Sequence, residues 1–337
     1  MLKKSLSLLL AVLTLVVLLS GCDSRSSNPT IGVTNPPHVE DPNEVKLPDK
    51  YTVELDYTML PESVSNLMER NDVILYRNAV KAFLDFEPSV AIPENTNPDL
   101  VVNLLVDYCP VLFSSLDASG IVANPETAQI EFTYLSEDKK AHDAAVQSFG
   151  EKALELIGEL DTDYSDRVVA LLIYNKYLTE LKAVSNPLEE VTQKDLSGYG
   201  TIVSGIAYGS SVTAGLSFLY TQAGIDNVSV VAEQNGQKVF MNLITVEGQR
   251  YYCDVAADNF SDSLTYFGMN DQSCATKGYE LFTFSFSDKV VAETYPAEGD
   301  LFNEFRNGAE NIEFQVHRDL LIYENYIGEK WNYFFEQ

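Results

Sequence analysis

Positive charge is scarce in this chain. Its 337 residues carry 22 Lys and Arg against 50 Asp and Glu, a formal net charge of −28. A surface of that sign repels phosphate backbones and anionic headgroups, which argues against nucleic acid and against electrostatic docking on a membrane. Histidine is rarer still, at three residues, and cysteine numbers four. Neither a CxxC pair nor an HExxH motif occurs, so no metal site is expected. Gly200, Gly205 and Gly209 follow no phosphate-loop fingerprint, and no cofactor is expected either. What the chain does have is aromatic bulk, 19 Tyr and 17 Phe, enough to fill a sizeable core. A sugar-stacking surface is the alternative use of those rings.

The N-terminus has a separate character. Met1–Lys4 is basic, Ser5–Leu19 is apolar and uncharged, and Leu19-Ser20-Gly21-Cys22 follows. The run is short for a membrane span and has the layout of a secretory signal. Its ending resembles a bacterial lipoprotein signal. That resemblance implies removal of residues 1–21, lipidation of Cys22, and anchoring on the outer face of the bacterial cytoplasmic membrane. Asp23 resembles the retention signal of inner-membrane lipoproteins in two-membrane bacteria. Residues 22–50, with Pro29, Pro36, Pro37, Pro42 and Pro48 among polar residues, read as an extended tether, and His38 within it as solvated. With Cys22 spent on lipid, three thiols remain, so at most one internal disulfide can form. Cys253 with Cys274 is conceivable outside the cytoplasm.

Helical spacing of Val64, Leu67, Ile74 or Leu75, Ala79, Phe83 and Phe86 predicts a helix over Ser63–Phe86, stopped by Pro88. Leu100–Val106 is a second apolar segment. Gln129–Tyr134 alternates as a half-buried strand. Further helices are expected over Lys139–Leu160 and Ser165–Leu181, the latter apolar on most sides and therefore deep. Strands then dominate: 228–233, 238–246 and 249–256, joined by turns at Asn235-Gly236 and Glu247-Gly248, form an antiparallel meander. Residues 279–286 alternate as another strand, and 318–335 read as a terminal helix. Helices followed by sheet argue for an α+β fold with a helix packed on an antiparallel sheet. The expected division is an N-terminal α/β region over 51–160 and a second domain over 161–337.

Tyr199-Gly200, Gly205, the loop into a helix ending Ala223-Gly224-Ile225, Asn242 on the following strand pair, Gly248–Asp254 and Tyr266-Phe267 fall in a familiar order. Over about 199–267 the chain resembles a transglutaminase-like domain of the papain-like cysteine-peptidase kind. That family's chemistry needs a Cys at the helix N-terminus, where the dipole stabilises its thiolate, a His on the adjacent strand, and an Asp or Asn to orient the ring. Carried over, the Cys position falls on Gly209, the His position on Val239 and the Asp position on Asp254. A slip of one residue would offer Tyr208 or Ser210, and Lys238 or Phe240, none of which restores the pair.

The resemblance therefore implies an inactive relative whose old cleft holds a peptide, protein or cell-wall glycan, with Asp254, Ser210, Ser211, Tyr208 and Tyr252 as candidate contacts. Ser210 and Ser211 read first as helix caps, and Asp254 as a hydrogen-bond acceptor. Cys109 and Cys253 read as small buried hydrophobes. Two alternatives stay open: an active hydrolase or acyltransferase on envelope peptide using other groups, and a structural envelope component held by a partner protein.

Overall fold

The computed structural model describes residues 50–183, 196–261, 264–303, 306, 310–315, 320–324 and 330–334. The expected signal at 1–21, the lipid site Cys22 and the tether up to residue 49 lie outside the described residues. In chain order the first half holds β1 (Lys50–Thr52), α1 (Glu62–Ser65), α2 (Arg70–Leu84), β2 (Ser89–Ala91), α3 (Pro98–Tyr108), β3 (Leu116–Asn124), β4 (Gln129–Tyr134), α4 (Lys139–Ile157), β5 (Glu159–Asp161) and α5 (Asp166–Glu180). There follow β6 (Lys182–Ala183), α6 (Gly198–Ser204), β7 (Ile206–Ala207), α7 (Ser210–Gln222), β8 (Asn227–Gln234), β9 (Gln237–Val246) and β10 (Gln249–Cys253). The last part holds α8 (Val255–Ser261), α9 (Asp271–Thr276), β11 (Tyr279–Phe284), β12 (Ser287–Val290), β13 (Glu310–Gln315), β14 (Leu320–Glu324) and β15 (Lys330–Phe334). The class is α+β.

The helix expected over 63–86 is two helices. Glu69 stands in extended backbone, ψ 147, and breaks the run before α2. The backbone N–H and hydroxyl of Ser63 both donate to the Asp226 carboxylate, at 2.9 and 2.5 Å, which ties α1 to the far side of α7 rather than continuing it into α2. Deep burial of α5 agrees with its pattern: Val168, Val169, Ala170, Leu171, Ile173, Tyr174 and Tyr177 are all inside.

Strands β10, β9, β8, β11 and β12 form one antiparallel sheet in that order. Its two central turns follow from their dipeptides. Asn235 and Gly236 have φ 54 and 75, and Glu247 and Gly248 have φ 51 and 75. Positive φ at both central residues is the geometry whose twist suits a tight hairpin. The third expected strand stops early, at Cys253, and residues 255–261 turn into α8.

Helix α7 lies on β8 and β9 through a polar seam. Ser217 and Ser229 share a hydrogen bond of 3.0 Å, and the Asn242 amide donates to Ser217 Oγ at 2.7 Å and to the Thr213 carbonyl at 3.2 Å. Asn227 donates to the Ser217 carbonyl and to Thr221 Oγ1. On its other side α7 meets α5 and α6 so closely that a Cβ on Gly215 would stand 2.3 Å from Thr201 Oγ1 and 2.4 Å from the Tyr177 hydroxyl. One hydrophobic core runs from Val53 to Phe302.

A terminal helix over 318–335 does not form. Leu320–Glu324 and Lys330–Phe334 are strands of a three-stranded antiparallel sheet with Glu310–Gln315. Ile322, Tyr323, Trp331, Tyr333 and Phe334 are residue types that favour extended backbone over helix.

Candidate functional site

The chain reaches α7 through two glycines with positive φ. Gly205 (φ 68) closes α6 in a left-handed cap, and Gly209 (φ 53, ψ −133) stands immediately before α7. The Gly209 conformation lies in a region that glycine alone enters freely, and a side chain there is strained although the space around it is open. The backbone at 209 is thus shaped for glycine. No side chain caps α7. Ser210 is exposed, and Ser211 is buried with its hydroxyl donating back to the Tyr208 carbonyl at 2.6 Å. The two serines therefore do not cap as the sequence suggested. Tyr208, Ser210 and Ser211 are brought together at this helix start, with Tyr208 exposed.

Val239 pairs with Ala232, and Asn242 with Ser229. Side chains alternate along a strand, so Val239 stands on the sheet face opposite Asn242, away from α7. The positions on the α7 side are Lys238 and Phe240. Tyr252, two residues from Asp254 and paired with Leu243, is on the far face too, fully buried and stacked on Phe282 at 4.4 Å between ring centroids. Among the described residues no hydrogen bond or ring contact joins Tyr252 to the group at 208–211.

Asp254 caps α8 rather than lying on a strand. Its Oδ1 accepts from the Ala257 N–H at 2.9 Å and its Oδ2 from the Tyr279 hydroxyl at 2.8 Å. Burial raises its pKa, and the two donors partly offset that rise. One turn on, Asp258 is fully buried and accepts from the Tyr174 hydroxyl at 2.6 Å and the Tyr266 N–H at 2.8 Å. The sequence reading passed over Asp258; its four-residue spacing from Asp254 is the one signal that could have found it.

Cys109, Cys253 and Cys274 are free, buried thiols, so the conceivable Cys253–Cys274 disulfide is absent. Burial pushes the Cys109 thiol up to about 12 and lifts those of Cys253 and Cys274 beyond it. None is a thiolate at neutral pH. His142 is buried on α4, its Nδ1 2.7 Å from Ser115 Oγ, with the rings of Phe83, Phe86 and Tyr134 around it. Burial lowers its pKa. His38 and His317 lie outside the described residues. Among the described residues no cluster of His, Cys, Asp and Glu could hold a metal, and no helix is long and apolar enough to cross a membrane.

The open space lies elsewhere, in a groove on the sheet beside α3 that none of Tyr208, Gly209, Ser210, Ser211, Tyr252 and Asp254 lines. Val231, Glu233, Lys238, Thr283 and Asp288 line it with Asn103 of α3, enclosing about 370 Å³. A second groove of about 470 Å³, past Leu67, Asp99 and Leu100, shares Asn103, Phe284, Phe286 and Ser287 with the first. Asp107 and Tyr108 pin α3 to its rim: Ser285 Oγ donates to Asp107 at 2.7 Å, and the Ser229 N–H donates to the Tyr108 hydroxyl at 2.7 Å. Desolvation pushes the Asp107 carboxyl up to about 6, against the lowering effect of Ser285. Short length and the charged Asp288-Lys289 dipeptide blunt the edge strand β12 against pairing with another strand. No family model matches the chain, and no curated protein is similar to it.

Proposed function

We propose that this chain is a surface-anchored lipoprotein whose transglutaminase-like domain has lost its catalytic pair and serves as a binding or scaffolding module for envelope peptide, protein or glycan. The observation that carries the reading is Gly209. It puts hydrogen where the related chemistry needs sulfur, on backbone that disfavours any side chain. Support comes from the three described thiols, all buried and held protonated. Asp254 spends both oxygens on internal donors and serves the fold. The groove between α3 and the sheet is the seat the ligand would use.

Two measurements test this. Purified full-length chain, given a labelled glutamine peptide and a labelled amine, should turn over neither, and alkylating its thiols should not change its retention on isolated envelope material. Turnover that disappears in Ser210→Ala or Cys253→Ala would overturn the reading in favour of an enzyme.

A further inference from the structure

Glu233 and Lys238 are direct cross-strand partners at the end of the β8–β9 hairpin. Partners in register put their side chains on one face. Ser229, two steps along from Val231 and four from Glu233, bonds to α7; the alternation places Glu233 and Lys238 on that same helix-bearing face, where both line the smaller groove. Yet they form no ion pair with each other or with any other described residue. A carboxylate and an ammonium thus stand side by side, both open to a ligand, with Asp288 also on the lining and hydroxyls of Thr283, Ser285 and Ser287 along the wall.

We propose that this groove binds a short zwitterionic peptide, its ammonium against Glu233 and Asp288 and its carboxylate against Lys238. The inference rests on the binding-module reading and names its ligand class. A volume of about 370 Å³ falls within the range of small-ligand sites, about 300–1,000 Å³. A simple anion would meet Lys238 alone within the field of a chain carrying −28. A polycation would meet Lys238 as a repulsive neighbour. A neutral glycan would hydrogen-bond both groups yet supply a counter-charge to neither. A ligand with both signs is complemented by the pair together with Asp288. Half-buried Phe286 supplies apolar surface for its side chain.

The probe is alanyl-alanine, titrated by calorimetry or NMR into the full chain, beside the same dipeptide acetylated and amidated. Both charges are solvent-facing, so each contributes modestly: Glu233→Gln or Lys238→Gln should weaken the free dipeptide roughly fivefold. Salt should weaken it as well, and the blocked dipeptide should not bind. Circular dichroism of the variants should match the parent, since neither side chain is part of the core. Absence of free-dipeptide binding, or equal binding of free and blocked forms unmoved by both substitutions, overturns the site. Retention on isolated envelope material separates the two claims. Retention that survives the Glu233→Gln/Lys238→Gln double variant overturns this site and leaves the binding module standing, whereas failure of the parent chain to be retained overturns the module reading.

Discussion

Asp107→Asn should stabilise this fold at neutral pH, because the native carboxylate is partly desolvated. Desolvation lifts its carboxyl from 3.8 to about 6, and Ser285 returns only part of the loss. The folded state therefore holds this proton more tightly than the unfolded chain does. The associated stability is fully present below pH 3.8 and is lost as pH rises through about 6. Ionising such a group in the fold costs at most about 3 kcal/mol. The residue is half-buried rather than sealed, and contact with water brings that to about 1–2 kcal/mol. Asparagine keeps an oxygen for Ser285 Oγ and carries no charge. Urea denaturation followed by far-ultraviolet circular dichroism, at pH 4, 5, 6 and 7.5, reads the effect directly. Parent and variant should nearly coincide at pH 4, diverge between pH 4 and 6 and differ by a constant amount above that, with the variant ahead by about 1–2 kcal/mol at pH 7.5. A variant that is less stable at pH 7.5, or whose difference from the parent does not change with pH, would refute the reasoning: the carboxylate would then be earning its place as an ion.

His142 should produce the opposite slope. Burial lowers its pKa from 6.5, so its contribution is present above 6.5 and is lost as pH falls below it, and His142→Gln should flatten the acid limb of the same titration. Gly215→Ala should destabilise by about 1–3 kcal/mol through overpacking, since its Cβ would meet Thr201 and Tyr177; a thermal melt showing no change would contradict the close approach. The Gly209→Cys/Val239→His double variant should show no acyl transfer in the labelled-amine assay, because residue 239 faces away from α7. Cys22→Ser should move the full chain from the membrane fraction to the soluble fraction, with the lipid mass missing from its N-terminus.

The parts legible in the sequence are those set by neighbouring residues. Asn235-Gly236 and Glu247-Gly248 specify turns by their own φ preferences, so the meander could be read with its boundaries nearly right. Pro88 likewise limits the helix before it, which ends at Leu84. The illegible parts depend on partners far along the chain. Asp226 meets Ser63 across 163 residues, and Asp258 meets Tyr174 across 84. No periodicity announces such pairs. His142 reads as one more residue of a charged helix because the rings that enclose it come from α2, from Phe86 just beyond it, and from β4. Asp254 was assigned to a strand since Tyr252 and Cys253 continue one; the capping bond to Ala257 is what ends it.

The polar seam under α7 decides how the proposed loss of chemistry should be understood. Asn242 and Ser229 are buried and spend their side chains on α7, which fixes both the register of β9 and the face each residue presents. Slipping β9 by one residue would put Val239 toward the helix, but would bury Met241 and Leu243 against Ser217 and turn Asn242 away from its partners. Each buried polar group left without a partner costs about 1–3 kcal/mol, so the slip is opposed several times over. In the observed register the helix-facing neighbours are Lys238 and Phe240, and the helix start offers Gly209 on backbone that would strain a side chain. A nucleophile and base facing one another would thus need a new conformation at 209 as well as new residues on β9. In the reading proposed here, inactivity is built into the backbone as much as into the two side chains.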